Sequence, residues 1–276
     1  MPLAMANGVR LAYQIEGEGE PLLMVAGTGF PGAVWRTQPS GRLARAGFRV
    51  ITYDYRGVGG SDKPDVPYTC NMFAQDACGL LDALGIPSAH VLGHSMGGRV
   101  AQWMALGQPR RVRSLVLVAS GAGDSDPGST MPRGIPLGTT VELAAKGYEG
   151  YIREHFASPF FFSRAFVEHH PEVVEAQFRA FWNERPPLKL YLRHVIARQA
   201  HQTAERLAEI TAPTLVIVSD GDTAESSTGS HFAQSEFLAL HIPNAEWKVV
   251  PGAAHMFMWE KPQESSAVIV AFLQRH

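Results

Sequence analysis

Residues 89–98 read Ala89-His90-Val91-Leu92-Gly93-His94-Ser95-Met96-Gly97-Gly98. The first five form a short apolar run closed by glycine. From Met96 to Leu106 the apolar residues recur at helical spacing. The stretch therefore predicts a buried strand, a sharp turn and a helix. Inside the turn, Gly93-His94-Ser95-Met96-Gly97 is a G-x-S-x-G pattern. The bare pattern is weak, and its context gives it meaning. A serine forced into a sparsely allowed backbone conformation needs neighbours without bulky Cβ atoms. Such a turn lifts the Ser95 hydroxyl above the sheet edge, beside a helix N-terminus that favours developing negative charge. The plainer alternative is a glycine-rich turn whose serine only caps the helix.

Working outward, the same kind of run recurs at 48–54 (FRVITYD), 114–120 (SLVLVAS), 213–219 (PTLVIVS) and 247–252 (WKVVPG). Runs without alternation suit strands covered on both faces, as in a parallel sheet. Val9–Gly17 alternates and leads into Pro21–Gly27, which reads as an antiparallel hairpin feeding a buried strand. Helical patterns at Met72–Leu84, Met96–Leu106 and Pro262–Leu273 lie between or after these runs. The alternation predicts an α/β fold with a mostly parallel sheet flanked by helices. Between Ser120 and Pro213 the β-like rhythm stops. A loop rich in Gly, Asp, Ser and Pro (Gly121–Gly138) opens the region. Helical stretches follow at about Thr139–Phe156, Pro171–Asn183 and Leu188–Ala208. The expected organisation is a core of residues 1–121 and 209–276 with a helical lid inserted at 122–208, over the strand ends where such sheets place ligands.

The chain has 276 residues and a formal net charge of −2, so no electrostatic footprint for nucleic acid or anionic membrane is present. Cys70 and Cys78, the two cysteines, form no CxxC pair and read as reduced thiols. The N-terminus lacks a basic region followed by a long apolar stretch, and no run of ~18 apolar residues occurs. The expectation is a soluble, cytoplasmic protein, monomeric or homo-oligomeric, with a small-molecule substrate and no metal or cofactor. The histidines show no H-E-x-x-H or comparable spacing.

A serine hydroxyl needs an adjacent base to act as a nucleophile. His255 follows the last strand directly, in Pro251-Gly252-Ala253-Ala254-His255, which places it at the same rim as Ser95. His155, His169, His170, His194 and His201 fall in the insertion, where a solvated helix face is the default. His94 is expected to point away from the reacting centre. The orienting carboxylate should lie between Ser95 and His255 in chain order. Asp222 is favoured in Ser219-Asp220-Gly221-Asp222, with Asp220 more suited to the turn's own amides and Asp124 or Asp126 as outside candidates. Activity should then fall on the acid side as the base protonates. An acyl-transfer site also needs amide donors for the carbonyl oxygen. These are expected at Met96, just after the nucleophile, and at Thr28 in the loop after the third strand.

Taken together, VAGTG (25–29), YDYRGVGGSD (53–62), GHSMGG (93–98), the strand-turn ending at Asp222 and GAAHMFMWEKP (252–262) resemble the α/β-hydrolase superfamily over nearly the whole chain. The resemblance implies an eight-stranded sheet, a helical lid after strand six and the triad Ser95, Asp222 and His255. It also implies that Asp54-Tyr55-Arg56-Gly57 and Ser61 form a structural loop. The chain departs from the family at Ala26-Gly27, where His-Gly is usual. Relatives with an aspartate nucleophile, the haloalkane dehalogenases and epoxide hydrolases, are set aside by Ser95. Carbon–carbon bond hydrolases share the loop Gly27-Thr28-Gly29-Phe30-Pro31-Gly32 but usually carry Trp after the histidine, where this chain has Met256. The segment from Arg56 to Gly98 resembles enol-lactonases and small carboxylesterases, and cofactor-free perhydrolases share the same triad. A non-catalytic small-ligand receptor on the same scaffold is the reading from another class. The insertion is rich in phenylalanine, and Gly29, Phe30, Trp35, Phe161, Met256 and Phe257 are candidate walls of an apolar pocket. The expected reaction is hydrolysis of a small to medium, fairly apolar carboxylic ester or lactone.

Overall fold

The apolar runs become one eight-stranded sheet in the computed structural model, which describes residues 1–123, 135–223 and 230–276. The strands are β1 (Leu3–Ala6), β2 (Val9–Glu16), β3 (Glu20–Val25), β4 (Phe48–Tyr53), β5 (Ala89–His94), β6 (Val112–Val118), β7 (Thr214–Ser219) and β8 (Glu246–Val250). Their spatial order is β1-β2-β4-β3-β5-β6-β7-β8. From β4 through β8 all neighbours are parallel, and only β1 and β2 run against their partners. The central strands are sealed on both faces: Leu22–Val25, Val91, Leu92, Leu115–Val118 and Leu215–Val218 have no exposed surface. Fully burying each such side chain contributes roughly 1.5–3 kcal/mol.

Two strand expectations need correction. β2 does not pair with β3; it pairs antiparallel with β1 and β4, while β3 lies parallel between β4 and β5. A strand as apolar as Leu22–Val25 belongs inside the sheet, and the half-exposed β2 belongs towards its edge. β8 is an edge strand, with Lys248 and Val249 exposed rather than covered on both faces.

Register decides where the chemistry sits. Val25 pairs with Gly93, His94 with Val118, and Ser219 with Val250. Residues 26–30, 95, 220–222 and 251–255 therefore emerge along one edge of the sheet. The flanking helix Cys70–Ala83 starts where the Thr69 hydroxyl accepts the Met72 amide at 3.0 Å, an N-cap worth about 1 kcal/mol. The loop after β4 is fastened from within. Asp54 accepts the amides of Gly32 (2.8 Å) and Gly60 (2.9 Å), the Ser61 hydroxyl donates to the Asp54 carbonyl (2.6 Å), and the Tyr55 hydroxyl donates to the Ala26 carbonyl (2.8 Å). Arg56 forms a buried two-bond ion pair with Asp76.

Between β6 and β7 the described chain is helical: Leu137–Ala157, Arg164–His169, Pro171–Asn183 and Leu188–Gln199, then a short 3-10 turn Ala204–Glu209. The first is interrupted at Gly147, where φ is +68°. The last α-helix stops at Gln199 rather than at Ala208, because the chain turns back to the core and the Thr203 amide donates to the Ala122 carbonyl at 2.8 Å. Among the described residues no helix is long and apolar enough to cross a membrane.

Candidate active site

Ser95 sits between β5 and the helix Met96–Gly107 with φ +56° and ψ −119°, a left-handed backbone conformation that L-residues avoid. Its surroundings over-determine it. The Ser95 amide donates to the Val118 carbonyl at 2.9 Å, and its carbonyl accepts the Ser120 hydroxyl at 2.8 Å and the Gly98 amide at 3.0 Å. A Cβ at Gly93 would fall on the Gly97 carbonyl, and one at Gly97 on the Val25 carbonyl. Both glycines are thus dictated by backbone approach, and the strain of Ser95 is held in place by the sheet.

The turn after β7 carries Asp220 to the outside, where it accepts the Gly252 amide at 2.7 Å. It carries Asp222 to the inside, 1% exposed. Asp222 Oδ2 accepts a hydrogen bond from His255 Nδ1 at 2.8 Å, which leaves Nε2 of the ring as the nitrogen able to take up a proton. Burial alone would raise the Asp222 carboxyl; His255 and His231 outweigh it and hold the group well below the usual carboxylate range. Asp124 and Asp126 lie outside the described residues.

Ser95 and His255 line one partly open cavity. Thr28, Phe30 and Phe161 line it too, together with Gly27, His94 and residues of the helical segment. Among the described residues the Thr28 and Met96 amides donate no hydrogen bond, and the Thr28 hydroxyl is buried without a partner. Gly29, Trp35, Met256 and Phe257 are not part of this wall. Gly29 faces the Tyr191 ring with φ +68°. Trp35 stacks on Trp259 at 5.5 Å. Met256 and Phe257 are fully buried, and the Met256 amide donates to the Phe161 carbonyl at 2.8 Å.

The histidines need the larger revision. His94 lines the cavity: its Nε2 donates to the His255 carbonyl at 3.2 Å, and the two ring centroids are 4.7 Å apart. Burial, reinforced by His255, pushes His94 down to about 3, so it stays neutral. His155 is not on a solvated face either; it packs 4.5 Å from Phe161 and is pushed down to about 3 by burial. His194 and His201 are buried, and of the histidines between β6 and β7 only His169 and His170 are exposed. His155 is covered by Phe160 and Phe161 of its own segment, His194 by Tyr55, Tyr68 and Phe73, and His201 by Trp103.

Three residues without a local sequence signal also belong to the site. His231, 6% exposed, lies 3.5 Å from Asp222 Oδ1 with its ring 4.4 Å from that of His255. Glu260 accepts the amides of Ala254 (2.8 Å) and Ser163 (3.1 Å) and the Ser163 hydroxyl (2.5 Å). Arg198 lines the cavity too, with its charge close enough to add to burial in lowering the neighbouring His155. Asp222, His231 and His255 offer donor atoms within 4.8 Å of one another, the metal-ligating grouping among the described residues. Two of the three are already joined by the 2.8 Å imidazole–carboxylate bond.

A strained serine on a strand-to-helix turn, an aspartate-bound histidine and an eight-stranded sheet together define an α/β-hydrolase scaffold. The chain belongs to the alpha/beta hydrolase fold family, whose model matches residues 21–262. A protein of Azorhizobium caulinodans named as a carbamate hydrolase, RutD, is 32% identical over 99% of this chain and 98% of its own. The 2-hydroxy-6-oxononadienedioate/2-hydroxy-6-oxononatrienedioate hydrolase of Paraburkholderia xenovorans is 30% identical over 96% of this chain and 91% of its own. Among solved structures, the enol-lactonase from Burkholderia xenovorans LB400 superposes with a TM-score of 0.83 at 27% identity, over 99% of this chain and 100% of that one.

Proposed function

We propose that this hydrolase uses Ser95 as nucleophile, His255 as base and Asp222 as the acid that orients it. Its substrate is a small to medium, fairly apolar carboxylic ester or lactone. The observation that carries this reading is the 2.8 Å bond from His255 Nδ1 to Asp222, with His255 and the strained Ser95 in one cavity. Ser95 Oγ attacks the carbonyl carbon while His255 Nε2 takes its proton. The C–O bond to the leaving group breaks as that proton passes to the leaving oxygen, giving an acyl-enzyme. Water then repeats the sequence and frees Ser95. The unoccupied Thr28 and Met96 amides bind the oxyanion, an interaction whose loss costs ~10²–10³ in rate per donor. Residues 122–208 act as the lid, and the rings of Phe30, Phe156, Phe161 and Tyr191 form the apolar part of the pocket.

A carbamate is the second reading, favoured by the full-length similarity to the protein named as a carbamate hydrolase. The same attack on a carbamate ester would expel the alcohol and leave a carbamoyl-enzyme, which water hydrolyses to a carbamic acid that breaks down to amine and carbon dioxide. Labelling by a fluorophosphonate probe, lost in Ser95→Ala, tests the nucleophile, and p-nitrophenyl esters of graded chain length beside a matched carbamate test the substrate. Labelling with faster ester turnover is expected. Faster carbamate turnover moves the assignment to the second reading, and neither labelling nor turnover overturns both. Full activity after chelation is the expected control.

A further inference from the structure

Among the described residues, the wall of the cavity at Ser95 contains one permanently charged residue, Arg198 on the helix Leu188–Gln199. His94 and His155 beside it are held neutral by burial, and most of the remaining lining is aromatic or aliphatic. Other arginines of the same helical segment pair with acids, Arg193 with Asp65 and Arg153 with Glu175 at 3.0 Å. Arg198 has no carboxylate within ion-pair distance among the described residues, and its guanidinium donates no hydrogen bond there. A second cation deepens the imbalance. The Arg99 guanidinium donates to the Arg198 carbonyl and to Gln234 Oε1, both at 3.0 Å, and forms no ion pair among the described residues. Burial first, then the charge of Arg198, push Arg99 down to about 10. Two cations side by side in a partly buried region leave an excess of positive potential next to the reacting centre.

Resting on the serine-hydrolase reading above, we infer that the substrate carries a carboxylate on the acyl side and that Arg198 binds it. A planar guanidinium fork matches a carboxylate in two parallel hydrogen bonds. A phosphate dianion would need further donors that this ring-lined wall does not supply. The substrate is then apolar in its middle and anionic at one end. Arg198 selects for the end while Ser95 acts on the carbonyl.

The test compares kcat/KM for p-nitrophenyl hydrogen glutarate and p-nitrophenyl hexanoate, which are of similar length and differ in the terminal charge. The native chain should favour the glutarate, and Arg198→Met should lower the glutarate-to-hexanoate ratio by about 10- to 100-fold, the usual range for a charged hydrogen bond. Arg198→Lys should keep part of the preference, and added salt should erode it. A binding arm uses Ser95→Ala protein and monomethyl glutarate in calorimetry, with Kd expected to rise about tenfold when Arg198→Met is added. A ratio that Arg198→Met leaves in place, with hexanoate still hydrolysed, overturns the inference and spares the nucleophile. Arg198-dependent binding of monomethyl glutarate without turnover of either ester overturns the nucleophile and spares the inference. Absence of both glutarate turnover and monomethyl glutarate binding overturns the inference.

Discussion

The sheet and the helical segment above it reach rigidity by different means. In β3, β5, β6 and β7 the side chains are aliphatic and sealed, and each strand is locked to two neighbours by a parallel ladder. The helices between β6 and β7 have few aliphatic contacts of that kind. They are joined to one another and to the sheet edge by rings: Phe30 meets Phe156 at 5.6 Å and Phe181 at 5.3 Å, and Phe161 meets Phe156 at 5.2 Å and His155 at 4.5 Å. Ladders fix positions along a line, whereas ring clusters accept several packings of similar energy. The groups proposed to react are carried by the first region, and most of the walls that a substrate meets are carried by the second. Chemistry and selectivity are therefore separable by mutation.

The sharpest break of that comparison comes from the sheet side. Asp222→Asn should lower kcat by ~10³–10⁴ with an intact circular dichroism spectrum, because an amide NH2 donating to Nδ1 sets the wrong His255 tautomer and the stabilising charge is lost. Asp220→Asn should change kcat less than ~threefold, since that side chain serves only the turn. Equal effects from the two would dissolve the distinction between them. In the helical segment, Phe181→Ala empties the centre of a ring cluster and should destabilise by about 3–5 kcal/mol in urea titration. A second, earlier transition in that titration would show the helical segment unfolding on its own. Phe160→Ala removes a ring stacked 5.0 Å from His255 and should lower kcat/KM by ~10-fold through looser placement of the base. The pH dependence of stability is cumulative over several buried imidazoles. Burial, with the charge of His255 added for His94 and His231, holds His94 at about 3 and His194 and His231 at about 4 in the folded chain, against 6.5 for a free imidazole. The unfolded chain takes up these protons first, so stability falls as pH drops from about 6.5 towards 4, by up to ~1.4 kcal/mol per unit for each group. Urea midpoints that stay flat across that window would show these histidines to be unburied in solution.

Legibility in the sequence follows the same division. Strands buried on both faces announce themselves as apolar runs, which is why β3 through β7 are visible in advance. β1 is invisible because Leu3 and Met5 are about half exposed or more, at 50% and 62%, and β2 misleads because alternation does not name its partner. Local signals also single out Ser95, Asp222 and His255, each at a strand end. His231, Glu260 and Arg198 carry none, since their relation to the site is wholly tertiary. His94 misleads because its partner His255 is distant in the chain, and His155 because the turn after its helix folds Phe160 and Phe161 back onto it.

The loop that bears His255 is tied to the helical segment by the Glu260 carboxylate, which accepts the Ser163 amide and hydroxyl, and by a main-chain tie in which the amides of His255 and Met256 donate to the carbonyls of Phe160 (3.2 Å) and Phe161 (2.8 Å). Such a tie is blind to side-chain identity. Apart from Phe160, whose ring stacks on His255, and Ser163, which is bound to Glu260, residues 158–163 can therefore change in composition, and with them the shape of the pocket, without losing these two bonds. A one-residue insertion or deletion there shifts both carbonyls out of reach. For laboratory evolution of new substrates, this stretch favours saturation by substitution and penalises changes of length.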